Sequence, residues 1–276
     1  MKKEKTAAEP VRIVDVDESC ENCFCTCLEE WSEEMKEAGD LKQNYYRSMK
    51  DKGLGAKMAR NSRGEHVGMI QYIPAEYAPL EGEGFYHIFC TWVHAYRGKG
   101  VGDQRRKGIG KALLAAAEEE IHSRGASGIS AWGITLPFWM RAAWYGKQGF
   151  RKADKNSVAR LMWKPFSEGA ETPRWSRPAE ELTHPSRDGA MPVVSVINGI
   201  CPAMNVAHQR MRRLAEEFGG RLNYQEYSSV TPEEIKRWGI MDGLYINGKA
   251  VNLGPPPSTD KLRKILEKEL RRYKPD

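Results

Sequence analysis

The sequence predicts an α/β protein in two parts: an N-terminal domain on a mixed sheet and a smaller C-terminal domain of order βαβαββα. Three observations carry this reading. The chain has 276 residues, against about 100 to 200 for a usual domain. Five of its 15 prolines fall between Pro165 and Pro192 among charged and small residues. Such sequence neither keeps a hydrogen-bonded ladder nor buries much surface, so it reads as a linker. On both sides of it, short β-branched runs alternate with stretches of helical period. The predicted parts are residues 11–166, a proline-rich linker over 167–189, and residues 190–276.

In the first part, Val11, Ile13, Val14 and Val16 form a strand pattern, and residues 19–53 read as helical with a break near Gly39. Met58 to Arg60 and Val67 to Ile73 flank the turn Asn61-Ser62-Arg63-Gly64, a hairpin. Phe85 to His94 is an aromatic, β-branched strand that runs into a glycine-rich loop. Ile109, Leu113, Ala117 and Ile121 then recur every four residues, giving a helix with one apolar stripe that stops at Gly125. A strand follows over Ile129 to Ile134, then a helix over Phe138 to Gln148 closed by Gly149, then strands from Phe150 and over Val158 to Trp163.

The second part opens with the strand Val193 to Asn198. Pro202 then starts a helix with Met204, His208, Met211, Ala215 and Phe218 on one side. Leu222 to Tyr227 is a strand, and Thr231-Pro232-Glu233-Glu234 is a capping-box helix start. Leu244 to Ile246 and Val251 to Leu253 flank Asn247-Gly248, a hairpin signal. Leu262, Ile265, Leu266 and Leu270 mark the last helix.

Composition narrows the function classes. Apolar residues make up 40% and charged residues 29%, the balance of a chain with a packed core. The longest uninterrupted apolar run, Ala112 to Ala117, is far below the ~18 residues of a membrane span. The start, MKKEKTAAEP, has charge but no apolar stretch behind it, so a cytoplasmic location is expected. The net charge of +6 is too small to imply nucleic acid by itself. Neither a nucleic-acid nor a membrane partner is expected.

The positive residues concentrate between the strand 85–94 and the helix 109–124. There the pattern R-x-x-G-x-G occurs twice, at Arg97 to Gly102 and Arg105 to Gly110. Glycines let a backbone approach a ligand, and the first-turn amides of a helix point outward at the positive end of its dipole. Arg105, Arg106, Lys107 and Lys111 add more charge than one phosphate requires, which favours a polyphosphate such as a pyrophosphate. The second copy runs directly into the helix and is the favoured turn, with Gly108, Ile109 and Gly110 as its backbone donors. The first copy reads as an insertion, although Val93-His94 followed closely by Arg97 leaves it open as the rival. The lysine–hydroxyl pair of a P-loop and the dinucleotide fingerprint are both missing.

Through Phe85 to His94, the turn RRKGIGKALL and the later WYGKQGF at 144–150, residues 11–166 resemble the GNAT family of N-acetyltransferases. The resemblance implies acetyl-CoA as co-substrate and an amine as acceptor, a small molecule or a peptide. It implies that Arg105, Gly108 and Gly110 hold the pyrophosphate and that the strand with Trp92 and Val93 aligns the pantetheine arm. Tyr145, matching Y-x-x-x-G-F with Gly149 and Phe150, becomes the candidate general acid. A phenol can protonate a leaving thiolate, and strand amides around Val93 and His94 offer support to an oxyanion. His87 and His94 are candidate bases, with Glu76 and Glu83 also near the expected site. The family's asparagine before the tyrosine helix is replaced here by Pro137-Phe138. Trp92, Trp132, Trp139, Trp144 and Trp163 are candidates to line a pocket for an apolar or aromatic amine.

Cys20, Cys23, Cys25 and Cys27 have the spacing C-x2-C-x-C-x-C. On a helix Cys25 would point away from the other three, so no metal site is assigned. In the second part, Val193 to Asn198 followed by GICPAMN resembles a thioredoxin-like module, and with GPPPS at 254–258 a YoaP-like domain across about 193–272. That resemblance puts Cys201 at the place of the attacking thiol, where a helix N-terminus favours thiolate. Met204 replaces the second cysteine, and WGIMDGLYINGK lacks the proline expected before its strand. Cys201 is therefore the candidate for a single reactive thiol rather than half of a disulfide pair.

Overall fold

A computed structural model describes residues 10–38, 40–136, 140–180, 188–251 and 256–274. The chain divides into two units, Met1–Ser32 with Arg47–Trp175 and Glu33–Tyr46 with Ser176–Asp276. In chain order the elements begin with β1 Arg12–Asp15, α1 Glu21–Cys25, α2 Glu33–Lys36, α3 Leu41–Lys50, β2 Gly55–Arg60, β3 His66–Pro74, β4 Leu80–Glu81 and β5 Tyr86–Val93. Then follow α4 Ile109–Ser123, β6 Gly128–Ile134, α5 Ala142–Gly146, β7 Arg151–Asn156, β8 Ala159–Pro165 and β9 Arg174–Trp175. The remainder is β10 Met191–Ile197, α6 Pro202–Phe218, β11 Leu222–Ser228, α7 Pro232–Trp238, β12 Gly243–Ile246, β13 Lys249–Ala250 and α8 Thr259–Leu270.

The first unit is a seven-stranded mixed sheet of order β1-β2-β3-β5-β6-β8-β7. Only β5 and β6 are parallel neighbours, joined by the α4 crossover. The stripe Ile109, Leu113, Ala117 and Ile121 buries α4 against Val67, Ile70, Ile88, Ile129 and Ala131, as the four-residue repeat predicts. The β5–β6 pairing runs only from Tyr86↔Ile129 to Ile88↔Ala131. On the other side of β5 the register with β3 jumps from Gln71↔Cys90 to Tyr72↔Ile88. Phe89 is thus a bulge residue, and a bulge bends its strand. From Phe89 to Val93 the strand leaves β6, and the sheet opens along this line.

Two helical expectations in the first 166 residues are corrected. Among the described residues, 19–53 hold three short helices rather than one interrupted helix, and the break expected at Gly39 lies outside the described residues. The helix expected over 138–148 spans only Ala142–Gly146, with Phe138 outside the described residues. Its late start has a physical cause. The Ile134 amide donates to Met140 O at 2.7 Å, and Ile134 bridges Arg141, which is held in extended backbone as the helix N-cap. Gly133 permits that approach, because a Cβ there would lie 2.7 Å from the Ala142 nitrogen.

The second unit is a four-stranded sheet of order β11-β10-β12-β13, with β10 and β11 parallel and the other pairs antiparallel. Met191 and Val193 face α6 and α8 through Met211, Leu214, Leu262 and Leu266. Val194 and Val196 face Trp238 of α7. A strand covered on both faces reads as a continuous apolar run, which is how β10 reads. The capping box forms, with the Glu234 amide donating to Thr231 Oγ1 at 3.3 Å and the Thr231 amide to Glu234 Oε2 at 3.0 Å. Asn247 and Gly248 take φ of 50° and 71°, the primed-turn geometry that the Asn-Gly pair predicts.

The boundaries differ from a cut at 166. Residues 33–46 go with the C-terminal unit, where Arg210 of α6 bonds Glu34 at 2.9 Å and Glu37 at 2.6 Å. Part of the expected linker belongs to the N-terminal unit: β9 pairs with β4, and the Trp175 amide donates to Asp154 Oδ2 at 3.0 Å.

Candidate active site

The second R-x-x-G-x-G copy opens α4. Gly108 is the N-cap with φ 82°, a left-handed conformation that costs an ordinary residue roughly 1–2 kcal/mol. The first amide with an acceptor in this stretch is that of Ala112, which donates to Gly108 O at 3.1 Å. The amides of Gly108, Ile109 and Gly110 have no protein acceptor among the described residues. Arg106 and Lys111 are exposed beside them. Arg105 is not a free cation: it holds Asp103 in a two-pronged pair at 2.8 and 2.7 Å, and these hydrogen bonds keep the Asp103 carboxyl well below the usual carboxylate range. Lys107 Nζ donates to Gln104 Oε1 at 2.9 Å.

The first copy lies in an exposed loop and does not enter a helix. His94 clamps this loop. Its carbonyl accepts from the Gln104 amide at 2.8 Å and its Nδ1 bonds Gly102 O at 2.7 Å. The His94 amide donates to Val67 O at 3.0 Å and is therefore not an oxyanion donor. Amides alternate along an antiparallel strand, so the neighbouring Val93 N–H points away from β3 toward the opening.

Tyr145 lies at the opening. Its phenol is within 3.3 Å of Thr91 Oγ1, and burial pushes its pKa well above the ordinary tyrosine value. Beside it, Trp144 packs on the first turn of α4, with Cζ2 3.3 Å from where a Gly110 side chain would begin. Thr91 carries no signal in the sequence, because its place follows from the bulge at Phe89.

His87 is corrected as a candidate base. It lies on the paired part of β5, fully buried, with Nδ1 2.8 Å from Ser130 Oγ, and burial pushes its pKa down to about 3. A base whose folded pKa is lowered stabilises the fold above its unfolded pKa near 6.5, and that contribution fades as pH falls toward about 3. Stability is expected to drop by about 1.4 kcal/mol per pH unit through this window from His87 alone. Urea unfolding of wild type and His87→Asn between pH 6.5 and 4 tests this, and parallel curves would reject it.

The cysteines do not converge. α1 ends at Cys25, Cys27 turns left-handed at φ 52°, and among the described residues no three His, Cys, Asp or Glu side chains group as metal ligands. Burial raises the Cys20 thiol and, with Glu30, pushes Cys23 up to about 12. Of the five candidate pocket tryptophans, Trp163 is fully buried core, Trp132 donates to Phe89 O at 2.7 Å, and Trp139 lies outside the described residues, as do Pro137 and Phe138.

A helix N-terminus with unpaired amides is thus set beside an opening in a mixed sheet that also holds a buried phenol. The family comparison is more specific. Residues 17–150 match the model described as the acetyltransferase (GNAT) family, so this part of the chain is a GNAT acetyltransferase domain and the protein is an acyltransferase. No curated protein matches the chain. Solved structures similar to it include the GNAT family N-acetyltransferase YhbS of Escherichia coli in complex with CoA, at 13% identity over 60% of this chain and 88% of that one, TM-score 0.41. A GNAT family acetyltransferase of Staphylococcus aureus is 19% identical over 57% and 100%, TM-score 0.42. One from Brucella melitensis in complex with acetyl-CoA is 15% identical over 58% and 90%, TM-score 0.37.

Proposed function

We propose that the protein transfers the acetyl group of acetyl-CoA to an amine acceptor. The observation that carries this reading is the run of unpaired amides at Gly108, Ile109 and Gly110, aimed out of α4 beside the opening between β5 and β6. These donors, with Arg106 and Lys111, fit a diphosphate. Acetyl-CoA supplies an activated thioester, and the chain supplies position and polarity. Val93 N–H supports the developing oxyanion. Tyr145 keeps its proton because ionising a buried phenol is costly, and it donates a hydrogen bond to the departing sulfur. Since its pKa exceeds that of a thiol, it stabilises the thiolate rather than giving up its proton outright.

Tyr145→Phe is expected to lower kcat roughly 10- to 100-fold while the acetyl-CoA Kd stays within about twofold. Free-thiol release with a panel of amines reads kcat, and calorimetry reads Kd. Unchanged kcat at saturating substrates removes Tyr145 from this role. Tight acetyl-CoA binding without turnover on any amine would instead favour a CoA-binding, thiol-responsive regulator.

The C-terminal unit reads as a thioredoxin-like, YoaP-like accessory domain, supported by its βαβαββα order and by a sheet with β10 between β11 and β12. Cys201, half-buried at the N-cap of α6, is its candidate reactive thiol. At pH 7 it should react with iodoacetamide faster than cysteines of the urea-unfolded chain, because the helix terminus stabilises thiolate. Equal rates would make it a packing residue.

A further inference from the structure

The opening between β5 and β6 has a second face. Thr91 and Val93 point toward Tyr145 and α4, so strand alternation sends the Trp92 ring to the opposite side. There it meets Tyr96 at 6.2 Å between ring centroids, and Tyr96 in turn meets Trp31 at 5.4 Å and His94 at 5.6 Å. Three buried nitrogens of this cluster have no hydrogen-bond partner: Trp31 Nε1, Trp92 Nε1 and His94 Nε2. Each such atom costs roughly 1–3 kcal/mol, and these three meet in one aromatic cluster. Their chemistry is defined. Gly102 O can only accept, so His94 Nδ1 carries the proton and Nε2 presents a lone pair. The cluster also already holds an ammonium, since Lys99 Nζ stands 4.9 Å from the Trp31 ring centroid, within cation–π range. Lys99 comes from the loop of the first R-x-x-G-x-G copy. That loop lays Gly100 over both nitrogens, a Cβ there falling 2.8 Å from Trp31 Nε1 and 2.9 Å from His94 Nε2.

We propose that Trp31, Trp92, Tyr96 and His94 form the acceptor subsite for an organic ammonium, and that Lys99 occupies it as an intramolecular stand-in. The ligand ammonium takes the place of Lys99 Nζ on the Trp31 face, and donates to His94 Nε2 once Gly100 is displaced from above it. The indole N–H groups take an acceptor atom of its body. That this ligand is the acetyl acceptor rests on the acetyltransferase reading; that the cluster binds an ammonium does not.

Calorimetry on the full chain with phenethylammonium as probe, without acetyl-CoA, tests the subsite directly. Saturable binding is expected, with phenylacetate, an anion of similar size, at least about tenfold weaker. Lys99→Gln, a change on an exposed loop, should tighten phenethylammonium severalfold by removing the competitor. Trp31→Leu should weaken it at least about tenfold while leaving acetyl-CoA Kd within twofold. Equal binding of the anion, no response to Lys99→Gln, or no binding of phenethylammonium overturns the proposal. If phenethylammonium binds as expected but acetyl-CoA does not, the subsite stands and the acetyltransferase reading fails.

Discussion

Gly108→Glu is expected to raise the acetyl-CoA Kd at least about 100-fold while the protein stays folded. The side chain would start from the N-cap of α4, an exposed position with φ 82°. The left-handed conformation costs roughly 1–2 kcal/mol of stability, too little to unfold a domain of ordinary stability. The carboxylate would stand about 5 Å from a bound diphosphate, where like unit charges repel by roughly 3 kcal/mol at an effective dielectric near 20, and 1.4 kcal/mol is tenfold. Gly108→Asn, neutral and tolerant of left-handed backbone, should lose far less. Gly98→Glu probes the rival copy, since Gly98 has φ 71° and open space around its Cα. It should shift Kd less than about threefold. Calorimetry on the three variants reads all of this. A large loss in Gly98→Glu with none in Gly108→Glu would move the diphosphate to the first copy.

Arg210→Met should destabilise the C-terminal unit by about 3 kcal/mol. The guanidinium side chain is only 9% exposed and makes four hydrogen bonds: two to Glu37, one to Glu34 and one to Pro257 O. Methionine fills part of the volume but leaves Glu37 and a buried carbonyl without their donor. Removing one partner of a buried pair typically costs 3–5 kcal/mol. The low end applies because Glu37 keeps Arg213 at 2.8 Å and is itself 28% exposed. Adding Glu37→Gln to Arg210→Met should recover part of the loss, because the stranded charge goes. Chemical denaturation measures the difference, and limited proteolysis should find the 33–46 segment opened first. A loss under about 1 kcal/mol would mean that this network does not hold the segment.

Much of the site was legible because it rests on local rules. The α4 stripe, the glycine turn and the Asn247-Gly248 hairpin depend on residues within one turn or one helix of each other, and period or spacing reports them. The roles of the two histidines were not legible. His87 and His94 stand on the same strand with similar neighbours, yet one bonds Ser130 in the paired sheet and the other clamps the loop through Gly102. Which fate each meets depends on where β5 leaves β6. Arg105 is paired rather than free, and Asp103 two positions earlier is the sequence signal of that pairing. Trp31 and Tyr96 carry no mutual signal in the sequence, because sixty-five positions separate residues that meet ring to ring.

By itself, the sequence determined the α/β class and the glycine turn at the head of α4, which follow from short-range backbone preference and hydrophobic period, while the tyrosine beyond it was marked by the family resemblance. The tertiary structure alone decided that the sheet opens at Phe89, that residues 33–46 join the C-terminal unit through Arg210, and that an aromatic cluster with unpaired nitrogens backs the opening. Those outcomes depend on long-range register and on which polar groups finally find partners. A linear pattern fixes neither, because both are properties of the packed chain.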